Sequence, residues 1–197
     1  MRLPWRRGHR RPRPVPHAAP PPSDPRRVFQ TLATHGVRYV TIGGIAVQSY
    51  GHARTTLDVD VFAAADEDNL KRLARALRDL DARLYGVDAE LLGIDPTDPR
   101  HLATGANFTL VSNAGRVDVF IDSQYLTGGT PWEEVNNRSV IIDLPDGTAI
   151  PVAGLDDLIQ MKRLAGRPRD LDDIAALTDV PPGRSPSSDD GDLPSTL

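Results

Sequence analysis

The stretch Tyr39-Val40-Thr41-Ile42-Gly43-Gly44, a short helical run to Tyr50, and then Arg54-Thr55-Thr56-Leu57-Asp58-Val59-Asp60-Val61-Phe62 limits this chain to few folds. It reads as a strand, a glycine turn, a helix and a second strand. Strand residues two apart point the same way, so Asp58 and Asp60 share a face while Val59, Val61 and Phe62 supply apolar contacts. Adjacent carboxylates repel unless a cation or a proton sits between them. Hard oxygen ligands of this kind suit Mg²⁺ or Mn²⁺. Gly43 and Gly44 follow an apolar strand and open a helix, where backbone lacking Cβ lets a phosphate approach free N–H donors. A phosphate cradle beside a metal-binding acid pair points to nucleotide chemistry.

Charge is distributed unevenly. The formal net charge is −4. Residues 1–27 carry eight arginines against Asp24, whereas residues 28–178 carry 14 basic and 22 acidic side chains. The Pro- and Arg-rich leader, 1–22, is expected to be disordered because it cannot bury enough apolar surface to offset its ordering entropy. A basic arm that gathers nucleic acid is the functional alternative. Residues 179–197 form an acidic Pro/Ser/Asp tail, also expected to be disordered. Between them, 23–178 reads as one domain. No cysteine is present, which excludes disulfides and thiolate zinc sites and is compatible with a reducing cytoplasm. No apolar run approaches a membrane span.

Helix and strand alternate through the domain. Ser23 or Asp24 caps a helix ending at Gly36, followed by a strand at 37–42, a short helix at 44–50 and a strand at 57–63. Asp66 caps a long helix with Leu70, Leu73, Leu77 and Leu80 on one stripe. Residues 107–111 and 116–121 form a hairpin turning at Asn113-Ala114-Gly115, and 139–144 and 148–152 form a second. Residues 85–105 give no clear pattern beyond a loop at 95–99. Helices at 154–165 and 168–177 close the domain. The expected class is α/β or α+β, with helices on one side of a small mixed sheet. Asp118 interrupts an otherwise apolar strand, where Asp is disfavoured; a solvent-facing edge acid is the plain alternative. Asp122 has the same parity nearer the strand end. Trp132 is expected in the core, at a helix start with Pro in its first turn.

Gly-Gly-x-Ala followed by Gly-x-x-Arg-x-Thr-x-Asp-x-Asp, here Gly43 to Asp60, resembles the polymerase-β-like nucleotidyltransferase superfamily, and most closely its AbiEii/MenT toxin branch. The similarity spans about residues 28 to 178. It implies a nucleotidyltransferase core with a C-terminal helical part, an NTP substrate, and Asp58, Asp60 and Asp118 as metal ligands, with Asp118 also a candidate proton acceptor. Many superfamily members place serine at the position of Gly44, so backbone N–H or Thr55 and Thr56 must replace that hydroxyl. Asp157 to Asp170 resembles the branch's Leu-x-x-x-Lys-x-x-Ala-x-x-Arg-x-x-Asp signature. By position, Lys162 contacts the nucleotide phosphates, and Asp170 orients Lys162 or Arg167. A helix with snorkelling cations and an ordinary Arg–Asp pair is the plain alternative, although the apolar side of the helix should leave Lys162 free to project.

Gly43, Gly44, Arg54, Thr55, Lys162 and Arg167 are thus the expected nucleotide-binding residues. Arg54 has a second option, pairing with Asp60 or Glu67. Thr56, expected on the strand face of Asp58, is a candidate phosphorylation switch, because a phosphate there would place roughly two negative charges at the site. The resemblance implies RNA as acceptor, the 3′ end of tRNA above all, with blocked aminoacylation and translation as outcome and a cognate antitoxin as partner. A small hydroxylated molecule or a protein hydroxyl serves the same chemistry, and a silent antitoxin-like binding module is the non-enzymatic alternative.

Overall fold

The computed structural model describes residues 21–86, 92–105, 107–121, 123–181 and 185–186. The expected leader to residue 20, most of the expected tail and Asp122 lie outside them. Helix α1 (Pro25–Thr34) starts at Asp24, whose carboxylate accepts the Arg27 N–H. Strand β1 (Tyr39–Ile42) runs into helix α2 (Gly43–Ser49), then strand β2 (Asp58–Ala63). Helix α3 (Glu67–Asp79) is capped by Asp66, as its sequence implies, and buries Leu70, Leu73 and Leu77. Strand β3 (Arg83–Leu84) and helix α4 (Pro99–Leu102) precede the hairpin of β4 (Phe108–Ser112) and β5 (Gly115–Phe120). Helices α5 (Ser123–Thr127) and α6 (Trp132–Asn137) lead to the second hairpin, β6 (Val140–Asp143) and β7 (Ala149–Val152). Helices α7 (Leu155–Ala165) and α8 (Pro168–Thr178) close the fold.

The strands make one mixed sheet in the order β3-β4-β5-β2-β1-β7-β6. Its two expected hairpins lie on opposite sides of the β1–α2–β2 unit, with β3 forming the edge beyond β4. Strands β1 and β2 are antiparallel, with Ile42 opposite Asp60. The turn that follows Ile42 therefore starts beside the Asp60 carboxylate. Strands β2 and β5 are parallel, with Asp58 beside Arg116 and Asp60 beside Asp118. Parallel neighbours stand about 4.8 Å apart, so this register brings two acids from distant sequence side by side.

One packed core holds the sheet and its helices together. Val59 and Val61 are fully buried, and Phe29, Leu73, Leu77, Leu110 and Leu158 fill the space around them. Trp132 is a core residue as expected, its indole N–H donating to the Phe62 carbonyl at 3.0 Å. Pro131 is the residue before that helix rather than its first turn.

Asn69 fixes α3 to the sheet. Its side chain is fully buried, accepts the Arg38 N–H at 2.7 Å, and donates to the Arg38 and Ala64 carbonyls at 2.9 and 2.8 Å. Those groups lie just outside the paired ends of β1 and β2, where the Ala64 N–H still reaches the Arg38 carbonyl at 3.1 Å but the Arg38 N–H and the Ala64 carbonyl are met by Asn69. Replacing Asn69 with alanine is expected to lower the unfolding free energy by about 2–4 kcal/mol, measured by urea denaturation. An unchanged midpoint would show that water takes over these bonds.

Candidate active site

Two glycines set the floor of the site. Gly43 has φ of +65°, and a Cβ there would lie 2.0 Å from Asp60 Oδ2. A Cβ on Gly44 would lie 2.4 Å from Thr56 Oγ1. The first position needs glycine for backbone conformation and space, the second for space alone. The Thr56 hydroxyl thus fills the volume that a side chain at position 44 would take. The Gly44 N–H points at Asp60 Oδ2, at 3.4 Å.

The three expected acids line one cleft of about 450 Å³, together with Gly43, Gly44, Arg54, Thr55, Thr56, Lys162 and Arg167. All ten candidate residues nearest the expected chemistry therefore meet in one place; Asp170 stands behind them, fully buried. Burial pushes the Asp60 carboxyl up to about 7, with repulsion from Asp118 and then Asp58 adding to it; the Gly44 N–H and Lys162 pull the other way. Burial also raises Asp118, against a hydrogen bond from Thr109 and the charge of Arg116. One oxygen of Asp58 and one of Asp118 are buried without a hydrogen-bond partner. Among the described residues, no three acidic or histidine side chains already stand gathered around a common point. Asp60 turns one oxygen to the Gly44 N–H instead.

Several expectations need correction. Lys162 does not project freely. It follows Leu158 by four residues, hence shares its buried face, and is 5% exposed. Its ammonium is held by Asp170 Oδ1 at 3.2 Å and Asp173 Oδ2 at 2.7 Å. Arg54 pairs with neither Asp60 nor Glu67; its Nη1 donates to Asp173 Oδ2 at 2.6 Å, because the segment before β2 packs against α8. Thr56 is not on the strand with Asp58. It lies in the irregular segment before β2, its hydroxyl turned to Gly44 and bonded to the Asp58 carbonyl at 3.4 Å.

Asp170 does meet both of its expected partners. It accepts from Arg167 Nε at 2.8 Å and from the Arg167 backbone N–H at 3.0 Å, in a cap that starts α8. Burial pushes this carboxyl up, but hydrogen bonds from Arg167 and Lys162 outweigh it and hold it below its ordinary value. Asp173, Arg116 and Arg169 were missed. Asp170 and Asp173 are three apart on a helix, a spacing that places both on one face and was open to inspection. Arg116 was detectable as the residue two before Asp118, on its strand face. It lies 3.5 Å from Asp58 Oδ1 and stacks on Tyr85.

A second, more apolar chamber of about 230 Å³ shares Gly43, Asp60, Lys162 and Arg167 with the first; Phe120, Tyr125, Leu158 and Met161 form its walls.

No family model and no curated protein matches the chain. Solved structures do. The lincosamide antibiotic adenylyltransferase LnuA, bound to lincomycin, aligns with a TM-score of 0.52 at 13% identity, over 82% of this chain and 100% of its own. The chain has a nucleotidyltransferase fold. A nucleotidyltransferase from Thermotoga maritima aligns at 0.47 and 16% identity, covering 76% of this chain and 87% of its own. A nucleotidyltransferase-like antigenic protein from Paracoccidioides brasiliensis aligns at 0.49 and 16%, covering 80% and 78%. The fold expectation, a mixed sheet flanked by helices, is met. No helix among the described residues is long and apolar enough to cross a membrane.

The raised Asp60 carboxyl has a measurable consequence. The folded protein binds this proton more tightly than the unfolded chain, whose Asp has its usual value near 3.8. The group's stabilising contribution is complete below that value and is lost as pH rises through about 7. In chelator-treated protein the thermal midpoint should therefore fall from mildly acidic to mildly alkaline pH. Asp60→Asn should remove most of that slope and raise the alkaline midpoint by roughly 2–8 °C, followed by scanning calorimetry. Parallel pH profiles for both proteins would refute the shift.

Proposed function

We propose that this chain is a metal-dependent nucleotidyltransferase that moves an NMP from an NTP onto a hydroxyl of RNA, with the 3′ end of tRNA as the preferred acceptor. The observation that carries the reaction class is the register of β2 and β5. It puts Asp58, Asp60 and Asp118 into one cleft, opposite a glycine turn and among Arg54, Lys162, Arg167 and Arg169. A triphosphate has the charge these cations complement. The two buried carboxylate oxygens that accept no hydrogen bond, on Asp58 and Asp118, fit a hard divalent ion.

Asp58, Asp60 and Asp118 would hold Mg²⁺ or Mn²⁺, which when bound supplies charge neutralisation and makes a hydroxyl more acidic. The other roles belong to the chain's own groups. Lys162 and Arg167, braced by Asp170, bind triphosphate oxygens with Arg54. Thr55, Thr56 and the Gly44 N–H contribute neutral donors. Asp118, with its raised affinity for protons, takes the proton from the acceptor hydroxyl. That oxygen bonds to the α-phosphorus, the bond to the bridging oxygen breaks, and pyrophosphate leaves. The apolar chamber beside Asp60 suits a nucleobase.

RNA as the acceptor is supported by the resemblance of Gly43–Asp60 and Asp157–Asp170 to the toxin branch. A small hydroxylated acceptor is the second reading, favoured by the structural match to lincomycin-bound LnuA and by the acidic body, which suits a long RNA poorly. In the toxin reading a cognate antitoxin is the natural partner, and the Thr56 hydroxyl, at the cleft wall, is its candidate target. Phosphate there would repel an incoming triphosphate. Intact mass after co-expression with the neighbouring gene product should then show one added phosphate on Thr56; an inactivated yet unmodified chain would remove this mode of control.

Incubation with each α-labelled NTP, total RNA or small hydroxylated acceptors should label one acceptor class. Label on tRNA supports the first reading, and label confined to small molecules replaces it with the second. Asp58→Ala is expected to cut labelling by about 10³-fold or more, and chelation followed by added Mg²⁺ or Mn²⁺ should abolish and restore it. Labelling that survives Asp58→Ala would refute the catalytic assignment.

A further inference from the structure

Asp173 lies one turn beyond Asp170 on α8 and is 1% exposed. Its Oδ2 receives cations from two separate elements, Lys162 Nζ of α7 at 2.7 Å and Arg54 Nη1 of the segment before β2 at 2.6 Å. His52 Nε2 of the same segment stands 4.0 Å from Oδ1. A carboxylate this deep persists only with partners of opposite charge or several hydrogen bonds. Here the partners are the two cations that reach the cleft wall from different parts of the chain.

We infer that Asp173 is a positioning residue that locks Lys162 and Arg54 into one rigid cationic unit facing the cleft. The nucleotide part of this inference rests on the nucleotidyltransferase reading. Lysine is a point charge on a flexible stem. Asp170 alone would hold Lys162 from one side, at 3.2 Å, and Asp173 closes the other side. Arg54 also belongs to the segment that carries Thr55 and Thr56, so its bond to Asp173 ties these two hydroxyls to α8. The unit stays cationic although it contains two buried acids, because Lys162, Arg54 and Arg167 outnumber Asp170 and Asp173. A charge fixed before substrate arrives costs less ordering on binding than one that must be recruited.

The chain has two lysines, Lys71 and Lys162, so its ammonium groups can be told apart by ¹⁵N-lysine NMR of the full-length protein. Lys71 pairs with Glu67 at the surface, its side chain 43% exposed. Wild type should show a protected, slowly exchanging ammonium signal from Lys162 and a rapidly exchanging one from Lys71. Asp173→Asn, nearly the same shape, should abolish or shift the Lys162 signal. In the labelled-NTP assay it should raise KM for the NTP at least about tenfold while kcat changes less than about threefold, the pattern of lost ground-state binding. Arg54→Ala combined with Asp173→Asn should raise KM by clearly less than the product of the two single effects, because both changes break one unit. A role limited to general stability would lower the active fraction and leave KM unmoved. If Asp173→Asn does not fold, Asp173→Glu takes its place. It keeps the charge and should preserve the Lys162 signal, with a smaller rise in KM.

An unaltered Lys162 signal in folded Asp173→Asn overturns the inference, and so does an unaltered KM once that signal is lost. If wild type transfers no label from any NTP, the nucleotidyltransferase reading fails. The ammonium comparison still decides whether Asp173 holds Lys162.

Discussion

Everything at this site follows from placing like charges next to each other on paired strands. Asp60 and Asp118 are register partners on β2 and β5, and burial makes their repulsion costly. The protein offsets that cost locally, with the Gly44 N–H and Lys162 acting on Asp60, and Thr109 and Arg116 on Asp118. What remains unbalanced is strain of an electrostatic kind, which a divalent ion or a proton relieves. Strain of that sort is usual where a fold has been shaped around a ligand.

The positive half of the cleft is built differently. Asp58, Asp60 and Asp118 sit on strands, where backbone pairing dictates position, but Lys162 and Arg54 have long side chains that no ladder places. Their positions come from a second layer of carboxylates on α8. Asp170 caps its own helix through Arg167 while holding Lys162, so one buried acid both starts α8 and orients a cation. The cationic side of the cleft thus depends on the C-terminal helix pair being in place.

How far the amino-acid order disclosed this can be judged residue by residue. The strand–turn–helix–strand unit was legible because glycine, alternation and paired Asp residues are local signals. Asp118 was legible as an acid in an apolar strand, although its exact partner was not, since register between β2 and β5 is settled by packing across more than fifty residues. Lys162 was identified but its surroundings were misjudged. The apolar stripe of α7 was noticed, and the lysine's place on that stripe was not, because a charged residue on a buried face is intelligible only with its partners. Arg54 was matched to nearby acids, whereas its partner comes from the far end of the chain. Residues 85–105 carried no periodicity, and α4 there is a single capped turn.

The packing of Thr56 against Gly44 bears on how such a site can change over time. The hydroxyl near the turn can come from position 44 or from position 56, but the 2.4 Å separation leaves no room for both. A serine at the turn demands a smaller neighbour, and a threonine across from it demands glycine. The two positions are therefore yoked: a Cβ at 44 would meet both the hydroxyl and the Cβ of Thr56, at 2.4 and 2.7 Å, so neither position can gain bulk unless the other gives way.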